Sequence, residues 1–319
     1  MGGGESRAEP EAPAPTPDPA LRIRARAKLN LGLEVLGRRP DGYHEIRSIV
    51  QSVRLADELE IRARRDGRLR LRCPGSDLPE DEENLVLRAA RLLQERHAPP
   101  GAGASFTLRK RIPIGAGLGG GSSDAAAALA GLSRVWGLRL PLRRLEELAA
   151  EVGSDVPFFL RGGTQLVRGR GERLRPLPSA LALPVLIAYP SLFISTASIY
   201  SSGNFALTAE RPLPRLRTCD LTTLSGAYRC LRGLRNDLEP VVTARHGRVA
   251  RLLAELRAFH PAVVRVTGSG SSVFVMDEDE RLLSRILREA SVGDCRVYAT
   301  RFARRGLVSV VPRPAGNDI

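Results

Sequence analysis

Residues Pro113 to Leu129 read PIGAGLGGGSSDAAAAL, with five glycines (115, 117, 119, 120 and 121) inside seven positions, followed by Ser122, Ser123 and an alanine-rich run. Glycine is among the poorest helix formers and alanine the best, so a flexible loop should turn into a helix near Ser122. That junction bares backbone N–H groups at the positive end of a helix dipole, an arrangement suited to phosphate. A capped glycine linker is the alternative. Apolar Ile112, Ile114 and Leu118 around the loop, and the buried-looking helix after it, argue against a linker.

Several glycine loops bind phosphate, and the spacing separates them. The P-loop pattern requires Gly-Lys-Ser/Thr, and no lysine lies in this loop. Gly115, Gly117 and Gly120 satisfy the dinucleotide fingerprint literally, but it also needs a strand-ending acid roughly 20 residues on. Leu140 and Pro141 occupy that region and open another helix. The HRD and DFG triplets of a protein kinase do not occur. The remaining form, Pro-x-x-x-Gly-Leu-Gly-Gly-Gly-Ser-Ser-x-Ala-Ala, resembles the phosphate loop of the GHMP small-molecule kinases.

Composition narrows the partners. The chain has 319 residues, 43% of them hydrophobic, enough for two domains with a substantial core. Residues 1–20 hold five prolines and three glycines and read as a disordered tail without the apolar centre of a signal peptide. No apolar run approaches the ~18 residues of a membrane span, so no membrane partner and a cytoplasmic location are expected. Cys73, Cys219, Cys230 and Cys295 lack metal-type spacing and read as four reduced thiols. The net charge of +14 suggests a polyanion partner. Yet the 49 cations include only two lysines, Lys28 and Lys110, and the arginines are spread along the chain. With 4% aromatic residues there is little to stack along a nucleic-acid strand, so no nucleic acid is expected.

Along the chain, Leu21 to Arg26 and a second run to Leu36 alternate as strands around Lys28 and Asn30. Val53 to Arg64 and Arg68 to Arg72 predict a hairpin about Arg65–Gly67. Asn84 to Arg96 has helical spacing, and Ser105 to Ile112 is a strand entering the loop. The loop helix should run from Ser122 to Trp136, and another from Pro141 until Gly153 stops it. Asp155 then stands before an expected apolar strand, and Gly162–Gly163 marks a domain boundary. Beyond it the order β-α-β-β-α-β, from Pro184 to Phe302 with a glycine-serine turn at Thr267 to Ser271, is the split ferredoxin-like unit.

Phosphoryl transfer needs a held nucleotide, neutralised charge and an oriented hydroxyl. The loop supplies the first. Ser122 or Ser123 would ligate Mg²⁺ or simply cap the helix. Lys110 either reaches a phosphate or is an exposed strand lysine. Asp155 is the candidate base, against a plain turn aspartate, and Lys28 its candidate partner, against a surface lysine; spacing alone does not bring the two together.

The resemblance to the GHMP kinases extends past the loop. Lys28-Leu29-Asn30-Leu31, Asp41-Gly42-Tyr43-His44, Ser154-Asp155-Val156-Pro157, Asn236-Asp237-Leu238-Glu239-Pro240 and Thr267-Gly268-Ser269-Gly270 occur in family order, from about residue 22 to 302. The first two motifs point to the branch that phosphorylates a cytidine-diphosphate-linked methylerythritol for isoprenoid synthesis. The resemblance implies an α+β fold of two domains, ribosomal-protein-S5-like at residues 21–162 (ATP-binding) and ferredoxin-like at 163–305 (substrate-binding), with tails at 1–20 and 306–319. It implies ATP and Mg²⁺ as cofactors and a monomer or weak homodimer. Lys28 and Asp155 match the catalytic pair. Asn30, Asp155, Tyr43, His44, Tyr200, Gly268, Ser269 and Gly270 match substrate contacts, with the two aromatic groups at 43 and 44 on the cytosine. Asn84, Lys110, Pro113, Gly115, Ala116, Gly117, Leu118, Gly119, Gly120, Gly121, Ser122 and Ser123 match the ATP site. The tail and Ser201 to Arg217 have no counterpart in the pattern.

Overall fold

The computed structural model describes residues 20–179, 182–201, 220–290 and 295–310. The expected tail up to residue 19, most of the unmatched segment 201–217, and Cys219 lie outside these. The two alternating runs at the start merge into one long strand, β1 (Leu21–Arg38), antiparallel to β2 (His44–Arg64), with register shifts between Arg26 and Lys28 and between Asn30 and Gly32. Alternation is clear only in the first part of β1. From Ala27 to Val35 every residue is buried, because this half is covered on both faces. Leu29, Leu31 and Ile49 pack with Ile187 and Phe274 of the second domain, whereas Ile23, Leu59 and Ile61 pack under the helices.

The hairpin expected around Arg65–Gly67 does not form. β3 (Leu69–Arg72) pairs in parallel with β4 (Gly103–Arg109), which lies between β3 and β2. Helix α1 (Leu85–His97) joins the two strands as a crossover and buries Val86, Ala89, Ala90 and Leu93 on the sheet. Alternation reports a half-buried strand but not which edge it joins. The loop helix α2 (Gly120–Val135) and α3 (Leu142–Val152) complete that layer, with Gly153 ending α3 as expected. The apolar run after Asp155 is a helix, α4 (Val156–Arg161), rather than a strand. Pro157 in its first turn has a φ suited to starting a helix, and so short an apolar run fits either period.

The boundary at Gly162–Gly163 does not divide the sheets. β5 (Thr164–Gly169) pairs with β2, β6 (Arg173–Pro176) pairs with β5, and β11 (Leu307–Val310), inside the expected C-terminal tail, pairs with β1. The chain therefore returns to the first sheet after completing the second domain. Gly162 has φ +65, and a Cβ there would stand 1.8 Å from the backbone nitrogen of Gly306. Gly162→Ala should destabilise the fold by about 2–4 kcal/mol, from the left-handed backbone plus overpacking. Urea denaturation checks this, and an unmoved midpoint would contradict it.

The second domain follows the expected order. β7 (Pro184–Tyr189) is followed by the short helices α5 (Thr196–Tyr200), α6 (Leu224–Gly233) and α7 (Glu239–Arg245). Then come α8 (Gly247–Arg257), β8 (Val263–Val266), β9 (Val273–Met276), α9 (Glu280–Glu289) and β10 (Arg296–Arg301). The sheet order β10-β7-β9-β8, all antiparallel, is that of a ferredoxin-like unit. Arg265 on β8 ties the domains together. Its buried guanidinium donates to the carbonyl of Leu31 at 2.7 Å and to those of Leu231 and Leu234, and burial lowers its pKa to about 10. Cys73 and Cys295 are free, but Cys230 is disulfide-bonded, which corrects the reading of four reduced thiols. Separation along a sequence does not report distance in space.

Candidate active site

The glycine loop is held against both domains. The carbonyl of Leu118 accepts from the backbone N–H of Lys28 on β1 at 3.0 Å, and those of Gly115 and Ala116 accept from Ile194 and Ser272 at 3.0 and 3.2 Å. Gly117 has φ +75, and a Cβ on it would lie 2.3 Å from the carbonyl oxygen of Thr267. The loop and the Thr267–Gly270 turn thus meet backbone to backbone. Helix α2 begins at Gly120, two residues before the expected start, with Gly119 (φ +70) as its N-cap. Neither Ser122 nor Ser123 caps it, because the left-handed glycine already ends the loop.

The two candidate catalytic groups, far apart in sequence, meet beside this loop. Lys28 is almost fully buried, and its Nζ donates to Asn30 Oδ1 at 2.5 Å and lies 3.7 Å from Asp155 Oδ2. Asp155, at the N-terminus of α4, keeps 49% of its side chain exposed toward solvent. Asn30 is locked in turn: its Nδ2 donates to Ser48 Oγ at 2.9 Å and its backbone N–H to Thr267 Oγ1 at 2.9 Å. The result is an ammonium held from below and a carboxylate open to a ligand. Lys28 is therefore not a surface lysine, and Asp155 is a half-exposed turn aspartate that faces its ammonium.

An aromatic group stands next to the pair. The rings of His44 and Tyr200 lie 5.2 Å apart and tilted by 32°. Burial, and to a smaller extent Asp155, pushes the Tyr200 phenol well above its usual pKa. Burial and the nearby Arg38 hold the His44 imidazole below its ordinary value, so at neutral pH it presents one donor and one acceptor. Tyr43 is exposed, with the Arg170 guanidinium 4.8 Å over its ring. The turn carrying both residues is stapled by Arg39, which pairs with Asp41 and Glu45, while Asp41 Oδ1 accepts from the N–H of Tyr43 at 3.1 Å.

Lys110 is neither an exposed lysine nor a strand residue. Its ammonium lies between two buried carboxylates, 2.5 Å from Asp57 and 2.6 Å from Asp124. Asp57 Oδ1 also accepts from the N–H groups of Arg111 and Ile112, at 2.5 and 2.8 Å. This knot clamps the entry and the exit of the loop. With two carboxylates on its ammonium, Lys110 serves as a strut under the loop. Asn84 is also spent internally: its Oδ1 caps α1 through the N–H of Val86 and its Nδ2 donates to the carbonyl of Pro79. Ser269 Oγ bonds Thr196 Oγ1 at 2.9 Å, and the carbonyl of Gly268 accepts from buried Asn236 at 2.8 Å.

A hard cation fits this place. Ser123 Oγ and Asp124 Oδ1, near the start of α2, are buried oxygens without a hydrogen-bond partner. Mg²⁺ commonly takes one or two protein oxygens and completes its shell with water and phosphate. Sequence reading missed Asp57, Asp124, Ser48 and Arg170. Only Asp124, inside the loop motif, stood where a signal pointed.

The GHMP kinases N terminal domain matches residues 84–163 and the GHMP kinases C terminal domain residues 223–292. The chain is 38% identical over 273 residues to a 4-diphosphocytidyl-2-C-methyl-D-erythritol kinase of Bacillus cereus, covering 85% of this chain and 93% of that one. A crystal structure of 4-(cytidine 5'-diphospho)-2C-methyl-D-erythritol kinase superposes with a TM-score of 0.70 at 32% identity, covering 88% of this chain and 98% of the other. Homoserine kinase from Cytophaga hutchinsonii shares the fold, with a TM-score of 0.67 at 18% identity over 91% and 97% of the two chains. Among the described residues no helix is long and apolar enough to cross a membrane.

Proposed function

Because this chain belongs to the GHMP kinases, and within them is similar over most of its length to 4-diphosphocytidyl-2-C-methyl-D-erythritol kinases, we propose that it transfers the γ-phosphoryl group of ATP to the 2-hydroxyl of 4-diphosphocytidyl-2-C-methyl-D-erythritol. The observation that carries the reading is the Lys28–Asp155 pair, 3.7 Å apart, on the edge of a phosphate-type glycine loop. Asp155 accepts the proton of the acceptor hydroxyl and orients its oxygen for attack. Lys28, kept in place by Asn30, offsets the charge that develops as the phosphoryl group moves. The backbone N–H groups at the start of α2 receive the nucleotide phosphates. Ser123 and Asp124 would hold Mg²⁺, which would supply positive charge against the nucleotide phosphates.

Selection of the acceptor falls to Tyr43, His44 and Tyr200. A phenol ring tilted against a neutral imidazole offers a π-face and one donor–acceptor edge, the combination that recognises a pyrimidine. Mevalonate and homoserine have no such ring, and the related folds that take them supply no reason for these groups. ADP release is the test, with the cytidyl acceptor beside mevalonate and homoserine. Turnover is expected with the cytidyl acceptor alone, with competitive inhibition by CMP. His44→Ala should raise the KM for that acceptor about tenfold, the loss of roughly 1.4 kcal/mol, with the KM for ATP unchanged. Turnover with mevalonate or homoserine and no inhibition by CMP would overturn the assignment.

A further inference from the structure

A cavity of about 730 Å³, a volume suited to a small organic ligand, lies between the two domains. It lies where β10, β7 and α9 of the second domain face the β1–β2 pair, a contact fastened by the N–H of Leu55 donating to Thr300 Oγ1 at 3.0 Å. Its lining includes none of Lys28, Asn30, Asp155 or the glycines of the loop. Two kinds of wall enclose it. Leu186, Leu283 and Leu287, which belong to one apolar cluster, give an apolar floor, and the exposed residues Arg24, Arg54 and Arg111 line the solvent side.

The charges of this wall do not cancel. Arg301 is committed to Glu280 at 2.8 Å, and Asp57 is taken up by Lys110 and two backbone N–H groups. Arg24, Arg54 and Arg111 have no side-chain hydrogen bond or ion pair among the described residues. The one remaining carboxylate is Glu58, opposite Arg24 across the β1–β2 ladder and outside ion-pair distance of it. Three unpaired cations therefore face one unpaired anion. Arg26, two residues along the same strand, is itself pressed below its usual pKa by burial and by Arg54, Arg24 and Arg305, a sign of the same uncompensated charge. Here three arginines line one concave, partly apolar surface.

We propose that this cavity binds an amphipathic anion, with a phosphate or carboxylate head between Arg24, Arg54 and Arg111 and an apolar body on the leucine floor. Guanidinium forks match both head groups in two-point contact, and partial desolvation by the floor strengthens those contacts. The site is independent of the phosphoryl-transfer reading. It adjoins the glycine loop through Arg111, whose backbone N–H is held by Asp57, so an occupant would rest against the strut of that loop.

The test is calorimetric titration of the full chain with octyl phosphate in the presence of saturating ATP. One molecule per chain is expected to bind. The R24Q/R54Q variant should lose about tenfold or more in affinity, as expected for the loss of charge-assisted contacts. Both positions are exposed strand residues outside the catalytic machinery, so turnover should be unchanged. R54Q alone should give an intermediate loss, which keeps the test valid if the double variant does not fold. Octanol binding markedly weaker than octyl phosphate supports the charged rim, and inorganic phosphate binding weaker than octyl phosphate supports the floor. Octanoate binding more tightly than octyl phosphate would assign the site to carboxylates, and octanoate binding more weakly would assign it to phosphates. Absence of one-to-one binding, equal binding by R24Q/R54Q, or displacement by ATP would overturn the proposal.

Discussion

Asp155→Asn is expected to lower kcat by about 10²- to 10⁴-fold, the range for loss of a positioned general base. ATP affinity should stay within a factor of two or so, since the nucleotide loop makes no contact that depends on this carboxylate. The amide keeps the size of the side chain but accepts a proton poorly and presents a donor toward Lys28. Half the Asp155 side chain is exposed, and it makes no capping bond to α4, so folding should be little affected. The measurement is kcat with the cytidyl acceptor alongside ATP binding by calorimetry. Near-normal turnover would remove Asp155 from the chemistry and leave Lys28 as the electrostatic centre of the site.

Lys110→Met should cause the largest loss of stability. Methionine matches the length of lysine but removes the cation shared by Asp57 and Asp124, both fully buried. Breaking a buried pair from one side typically costs about 3–5 kcal/mol, because a charge remains without compensation. The loss should depend on pH. Burial, with Asp57 nearby, raises the Asp124 carboxyl to about 7 even with Lys110 present. A carboxyl raised above its ordinary value favours the folded state fully below that ordinary value and loses the contribution as pH rises through the folded one. Without Lys110 the folded value climbs further, so the gap between variant and wild type should widen from pH 5.5 to pH 8. Urea denaturation in buffer free of divalent cations would measure it. A gap that is constant or widens toward acid would show that Asp124 is not the group left uncompensated.

The two predictions probe different parts of what could be read beforehand. Asp155 was visible in the sequence through its place after a glycine helix stop and its motif, yet the strand expected after it is the helix α4. Five apolar residues with a proline satisfy both periods, and only packing against α2 and α3 chooses between them. Asp57 carried no signal. It lies in an alternating strand where an acid reads as a solvated face, and its partner Lys110 is 53 residues away. The predicted hairpin failed for a similar reason, since β4, arriving later in the chain, takes the edge of β2 that β3 was expected to use.

By itself the sequence determined what depends on neighbours along the chain: a glycine loop opening a helix, the start and stop of α3, the strand–helix order of the second domain, and the kinase family those motifs carry. Tertiary structure alone decided what depends on closure in space. It brought Lys28 within 3.7 Å of Asp155, set Tyr200 against His44, locked Lys110 between two buried acids, and returned β11 to the first sheet. The physical reason is range. Backbone propensity and capping act over a few residues, whereas burial and ion pairing act between whatever surfaces the folded chain brings together.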